Sequence, residues 1–308
     1  MFVDAHAYIT QGLHGSTGAG RTRSLPYGCA QHGDQVVRIL PPLSAERTAL
    51  EPETMLRLMD WAGIDKMVLM QGPFYGDQNT FLYQTTRKWP DRFAAAAYLD
   101  PHDKAARDTF RRVTAEYGFR ILKFEMSELT GLTGLYPDLR VNGEELAWYW
   151  EQADRLGLAV TLNLGRIGSR SYQTDAVEEI ATRYPRARIV IAHLAHPPLA
   201  NSENERSNSL WQEQILLGRH ANISFDTSSL PALGVDDYPF PTALRYIRQA
   251  VELVGADKLM WGSDIPSMLC HATYQQLLNM LVLRSRLTEQ QLEKILGETA
   301  QQVYLPTS

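Results

Sequence analysis

Eight short apolar runs, each separated from the next by a longer segment, constrain the fold of this 308-residue chain more than any other feature. They are FVDAH (2–6), KMVLM (66–70), FAAAAYL (93–99), RILKFE (120–125), LAVTLNL (158–164), RIVIAHL (188–194), ANISFD (221–226) and KLMWGSD (258–264). Runs that are apolar nearly throughout, rather than alternating, fit strands buried on both faces, the condition of a parallel sheet. Helix-like segments lie between most of them, at 52–62, 77–89, 103–117, 143–156, 172–184, 241–254 and 271–283, with a last one at 288–303. In 143–156, Leu146, Trp150, Ala153 and Leu156 recur at helical spacing and Gly157 follows as a stop, as Gly63 and Gly118 do elsewhere. Eight strand-then-helix units predict an α/β fold, a (β/α)8 TIM barrel, whose usual size is about 250 residues. No linker, low-complexity tract or long repeat marks a second domain, so residues 1–308 read as one.

Residues 11–51, after the first strand, hold Gly12, Gly15, Gly18, Gly20, Gly28 and Gly33 with Arg21, Arg23 and Arg38, and show no sustained period. They are expected to form a long loop or lid. The apolar content of 44% is enough for a large core, and the net charge of -5 supplies no basic field for a nucleic-acid backbone. No run approaches the ~20 apolar residues of a membrane span, and no basic-then-apolar leader opens the chain, so the expected location is the cytoplasm. Cys29 and Cys270 lack metal-ligand spacing and read as free thiols. The aromatic residues of 143–156 are a candidate subunit contact in a homo-oligomer.

Barrel active sites form at the C-terminal ends of the strands. Polar residues at those ends are His6 and Tyr8, Gln71, Asp100, Lys123 and Glu125, Asn163 with Arg166 beyond it, His193 and His196, Asp226, and Asp264. Asp4, His6 and Tyr8 alternate along the first strand and are expected on one side of it. Acids, imidazoles and a lysine together suit hydrolysis or proton transfer on a small-molecule substrate. Asp226 and Asp100 also suit turn caps, whereas Asp264 in WGSDIP favours chemistry. His14, His102, His220 and His271 read as ordinary surface or packing residues; His32 stands apart because it lies in the long loop.

The ordered set VDAH, DKMVLMQ, NTFLYQTTRKWPDRFAAAAYLDP, ILKFE, IVIAHLAHP and KLMWGSDIP resembles the amidohydrolase-related branch of the amidohydrolase superfamily, which includes aminocarboxymuconate semialdehyde decarboxylase, aromatic-acid decarboxylases and lactone hydrolases. The resemblance implies a divalent zinc or manganese ion held by a strand-1 pair, a strand-5 histidine and the strand-8 aspartate, with a strand-6 histidine assisting. In this chain those positions carry His6 and Tyr8, Asn163, Asp264 and His193, so two ligand positions have departed. Tyrosine and an amide are poor zinc donors, and the expectation is a site without a tightly bound metal. If an ion is held, the expected ligands are His6, Glu125, His193 and Asp264. The implied chemistry is hydrolysis of an activated ester or lactone of a small carboxylated or aromatic metabolite, with Asp264 as general base on water. His6, His193, Lys123 and Tyr8 are expected to polarise the carbonyl, and Arg166, Arg21 and Arg23 to clamp a carboxylate, with Asn163 and His196 completing the substrate site. A metal-dependent decarboxylase or hydratase and a catalytically inactive binding protein are the competing expectations.

Overall fold

A computed structural model describes residues 1–198, 203–234 and 236–305. Strand β1 is Val3–Ala7. Four short strands follow it, β2 Ser16–Thr17, β3 Gly20–Ser24, β4 Cys29–His32 and β5 Gln35–Arg38. Then come β6 Lys66–Leu69, β7 Phe93–Ala97, β8 Ile121–Glu125, β9 Ala159–Asn163, β10 Arg188–Ile191, β11 Ile223–Asp226 and β12 Leu259–Met260.

Strands β1 and β6 to β12 form one sheet in sequence order, with helices between its strands, and every pairing in it is parallel. The ring is drawn together by backbone bonds from Ala5 N–H to Trp261 O (2.9 Å), Tyr8 N–H to Ile265 O (2.8 Å) and Asp264 N–H to His6 O (2.7 Å). This is the expected (β/α)8 barrel. Inside it, Val3, Ala5, Val68, Met70, Ala96, Ile121, Ala159, Val190 and Met260 pack with Ala300 and Tyr304 of the C-terminal helix. The outward side chains pack under the helices. The apolar filling leaves polar groups for the C-terminal rim.

Helix termini follow local chemistry. Helix Pro52–Ala62 begins on Pro52, whose missing N–H costs nothing there, and ends on Gly63 in the left-handed conformation (φ 75°). Thr273 and Gln276 form a reciprocal cap on Tyr274–Arg284, and Thr288 with Gln291 does the same for Glu289–Glu293. A helix absent from the expectation, Glu205–Leu216, lies between β10 and β11. It buries just Trp211, Gln214 and Ile215, and its polar opening hid the period.

Residues 11–51 also depart from expectation. In place of an aperiodic loop they hold the antiparallel sheet β2-β3-β4-β5. Its buried face is Thr17, Thr22, Ala30 and His32, threonine and histidine where aliphatic residues would have betrayed the alternation. In segment 143–156 Tyr149 and Trp150 are buried in the core, while Trp148 is half-buried. No helix among the described residues is long and apolar enough to cross a membrane. Cys29 and Cys270 are free thiols.

Candidate active site

Parallel register puts the end of each strand beside the end of the next. Glu125 of β8 is level with Asn163 of β9. Asn163 Nδ2 donates to Glu125 Oε2 (3.0 Å), and Ser127 N–H donates to Glu125 Oε1 (3.2 Å). Asn163 Oδ1 accepts from Gly165 N–H (3.0 Å) and from His196 Nε2–H (2.9 Å). Lys123, two residues before Glu125 and so on the same inward face, is fully buried with Nζ 3.6 Å from Glu125 Oε2 and no hydrogen-bond partner.

On the other side of the mouth, Asp226 at the end of β11 is a hub. Its Oδ2 accepts from His6 Nδ1–H (2.9 Å), and its Oδ1 accepts from His193 N–H (3.0 Å), Ser228 N–H (3.1 Å) and the Ser228 hydroxyl. A carboxylate only accepts, so these bonds fix the protons around it. His6 carries hydrogen on Nδ1, and in the neutral ring Nε2 accepts from the Tyr8 hydroxyl (3.0 Å). The Ser228 hydroxyl donates to Asp226, so it accepts from His193 Nδ1–H (2.8 Å), which leaves His193 Nε2 as an uncommitted lone pair. Burial alone would raise the Asp226 carboxyl, but His6, His193 and Ser228 outweigh it and hold it well below the carboxylate range. Asp226 thus caps its turn, as expected, and also orients both imidazoles.

His193 is not on a strand. β10 ends at Ile191, and His193, Leu194, Ala195 and His196 all adopt left-handed backbone (φ 57°, 50°, 56° and 49°). Each such non-glycine residue costs about 1–2 kcal/mol. The turn is secured by His193 N–H on Asp226, Trp211 Nε1–H on Leu194 O (2.9 Å) and Tyr172 O–H on Ala195 O (3.3 Å). It sets the two imidazoles edge to face with centroids 5.0 Å apart. Burial, then the neighbouring His6 and His196, holds His193 well below its ordinary pKa. Burial, with Arg166 and Lys123, lowers His196 to about 4. Both rings are neutral at pH 7.

Asp264 follows β12 in left-handed conformation (φ 58°), and its Oδ2 accepts from the Ser267 hydroxyl (3.2 Å). Burial raises its carboxyl above the ordinary 3.8, with Asp226 adding to the shift and His6, Ser229 and Lys123 opposing it. Tyr8, Glu125, Asn163, His193, His196 and Asp264 line one cavity of about 370 Å³. Val37, Ile39 and His32 from the small sheet wall it on one side, with Phe74, Tyr75 and Leu129. Tyr8 stacks on Tyr75 (centroids 4.7 Å, 7°), and burial followed by the charges of Asp264 and Glu125 keeps its hydroxyl protonated.

Several expectations are corrected. Asp4 does not share a side with His6 and Tyr8: β1 shifts register between Asp4 and Ala7, and the Asp4 carboxylate accepts from Tyr274 O–H (2.7 Å) and Ser263 N–H (2.9 Å). Arg21 and Arg23 line a separate groove of about 840 Å³ with Asp34 and Asp100, because β3 turns them away from buried Thr22. Arg166 is exposed and is not among the residues lining the catalytic cavity. His6 and Lys123 are buried beneath that cavity rather than lining it, and the His193 ring Nδ1–H is spent on the Ser228 hydroxyl, so these three do not present donors to a carbonyl. Gln71 lines the cavity, but its Nε2 donates to Asn79 Oδ1 and Ala96 O and its Oε1 accepts from Gln78 N–H. Asp100 is the turn residue expected, accepting from His102 N–H and Tyr136 O–H. Sequence reasoning missed Ser228, whose signal was its place two residues after Asp226 in FDTSS, and the wall Phe74, Tyr75, Val37 and Ile39, which left none.

Among the described residues, the group that could hold a metal is His6, His193 and Asp226, with donor atoms within 4.8 Å of one another. Glu125 and Asp264, expected as ligands, lie outside it. As arranged, the group is short of donors for a zinc-type ion. Both His6 nitrogens and Asp226 Oδ1 are engaged inside the protein, which leaves His193 Nε2 and the second lone pair of Asp226 Oδ2 where a zinc site takes three or four protein donors.

A closed barrel with acids and neutral imidazoles around a rim cavity defines an enzyme of the TIM-barrel class. The amidohydrolase family model matches residues 3–305, and the chain belongs to that family. L-fucono-1,5-lactonase of Burkholderia ambifaria is 38% identical over 94 residues, a stretch that spans 30% of each chain. An amidohydrolase structure from Burkholderia multivorans with bound zinc superposes with a TM-score of 0.70 at 15% identity over 100% of both chains. A putative 2-pyrone-4,6-dicarboxylic acid hydrolase from Pseudomonas putida superposes with a TM-score of 0.69 at 18% identity, covering 98% of this chain and 97% of that one.

Proposed function

We propose that the chain hydrolyses a lactone of a small metabolite, with Asp264 as general base and no metal taking part. The observation that carries this reading is the Asp264 carboxyl, buried, raised above its ordinary value and opening on the same cavity as the neutral imidazole of His193. Raising a carboxyl above its ordinary value strengthens its ionised form as a base. Asp264 takes one proton of a water molecule, and the free lone pair of His193 Nε2 accepts its other hydrogen and orients it. Attack on the lactone carbonyl places charge on oxygen. The Tyr8 hydroxyl, at the cavity wall, turns its hydrogen from His6 Nε2 to that oxygen. As the ring C–O bond breaks, protonated Asp264 returns the proton to the leaving alkoxide.

A lactone is an activated ester, which suits a site lacking a metal to acidify water. The partial likeness to L-fucono-1,5-lactonase supports the substrate type. The test is Asp264→Asn, assayed by acid release from a lactone panel. Loss of about 10²–10⁴-fold in kcat with an unchanged circular dichroism spectrum is expected. Wild-type turnover in that variant refutes the assignment.

A further inference from the structure

We infer that the lactone taken by this site is uncharged and rich in hydroxyls, and that Glu125 is the residue that reads those hydroxyls. This rests on the lactone reading above. Among the described residues that line the cavity there are two carboxylates, Glu125 and Asp264, and no lysine or arginine. A substrate carboxylate would be desolvated beside two carboxyl groups, with no guanidinium or ammonium among the lining residues to meet it. Arg21 and Arg23, the expected clamps, belong to another groove.

Glu125 is built as an acceptor fixed in place. Asn163 Nδ2 and Ser127 N–H hold one hydrogen bond on each oxygen, and Lys123 Nζ lies 3.6 Å below Oε2, buried and without a hydrogen-bond partner. That ammonium is too deep to meet a ligand and too far for a good hydrogen bond to Glu125. Glu125 itself lines the cavity, so the lone pairs not taken by Asn163 and Ser127 are left for a ligand. Two rigid carboxylate oxygens match two adjacent hydroxyl groups, as on the ring of an aldono-1,5-lactone. His196 Nε2–H on Asn163 Oδ1 locks the amide so that its NH2, not its oxygen, faces Glu125.

The experiment uses the full chain and measures kcat/KM by acid release, corrected for spontaneous opening. The panel holds aldono-1,5-lactones of differing hydroxyl configuration, their deoxy analogues and 2-pyrone-4,6-dicarboxylate. The expected result is a preference of at least about 100-fold for aldonolactones over the dicarboxylate. Glu125→Gln should raise KM for the aldonolactone about 10–100-fold, the loss of hydrogen bonds to a charged group, and act less on kcat. Deoxy analogues lacking the recognised hydroxyls should show a matching loss with the wild type and little further loss with Glu125→Gln. Faster opening of the dicarboxylate, abolished by Asp264→Asn, overturns this inference and leaves the lactone reading standing. No opening of any lactone overturns both.

Discussion

Asp264 and Asp226 are two buried carboxyls at one barrel rim with opposite displacements, because Asp226 is surrounded by donors and Asp264 mostly by burial. On the proposed reading this difference gives the base to Asp264, while the hydrogen bonds of Asp226 orient His6 and His193. For Asp264 the folded-state pKa lies above the unfolded one, so the acid form is favoured by folding. Its stabilising contribution is full below about 3.8 and is lost as pH rises through the folded value. Asp264→Asn, which cannot ionise, should therefore melt higher than the wild type at pH 8, with the gap closing as pH falls towards 4. Thermal melts across that range check it, and a gap that does not vary with pH rules out a raised Asp264. The same ionisation predicts an acid limb in kcat/KM above the ordinary aspartate range. Tyr8→Phe keeps the stacked ring but removes the donor. It should lower kcat about 10²–10³-fold with little change in KM, measured on the best lactone of the panel.

Strand ends are legible as polar residues closing apolar runs, and the structure puts His6, Glu125 and Asn163 at the ends of their strands and Asp264 after β12. What those side chains touch was not legible. The register shift in β1 sends Asp4 outward, and four left-handed residues after Ile191 swing His193 and His196 back over the mouth. Neither feature contains a glycine or proline that would announce it. The small sheet was illegible for another reason, since its buried face is carried by Thr17, Thr22, Ala30 and His32. One close approach could have been suspected from WGSD. A Cβ at Gly262 would stand 2.8 Å from His6 Cβ and 3.1 Å from Ser228 Cβ, so glycine is what lets the β12 loop pass beside the Asp226 hub. Gly262→Ala should cost about 1–3 kcal/mol and displace His6. Melting lowered by several degrees together with reduced turnover is the expected pair of results, and an unaffected melt would show that the loop relaxes freely.

At the scale of the molecule, the barrel brings side chains from across the chain onto one floor: Tyr8 and Asp264 from its two ends, Glu125, Asn163 and His193 from its middle. The resemblance read from the sequence implies an ion on such a floor. Here Tyr8 and Asn163 occupy two of the positions the resemblance assigns to ligands, and both take part in hydrogen bonds that engage the neighbouring groups. For His6 to join His193 and Asp226 in ligating an ion, either the Tyr8 hydroxyl must turn away from His6 Nε2 or the His6 to Asp226 bond must open. Each hydrogen bond given up costs about 0.5–3 kcal/mol, which weakens binding relative to a site of free histidines. The purified chain, dialysed against a chelator, should contain far less than one equivalent of zinc or manganese and keep its full rate of lactone opening. Elemental analysis beside the activity assay decides it. A tightly held equivalent whose removal abolishes turnover and whose return restores it would mean that the hub opens around an ion.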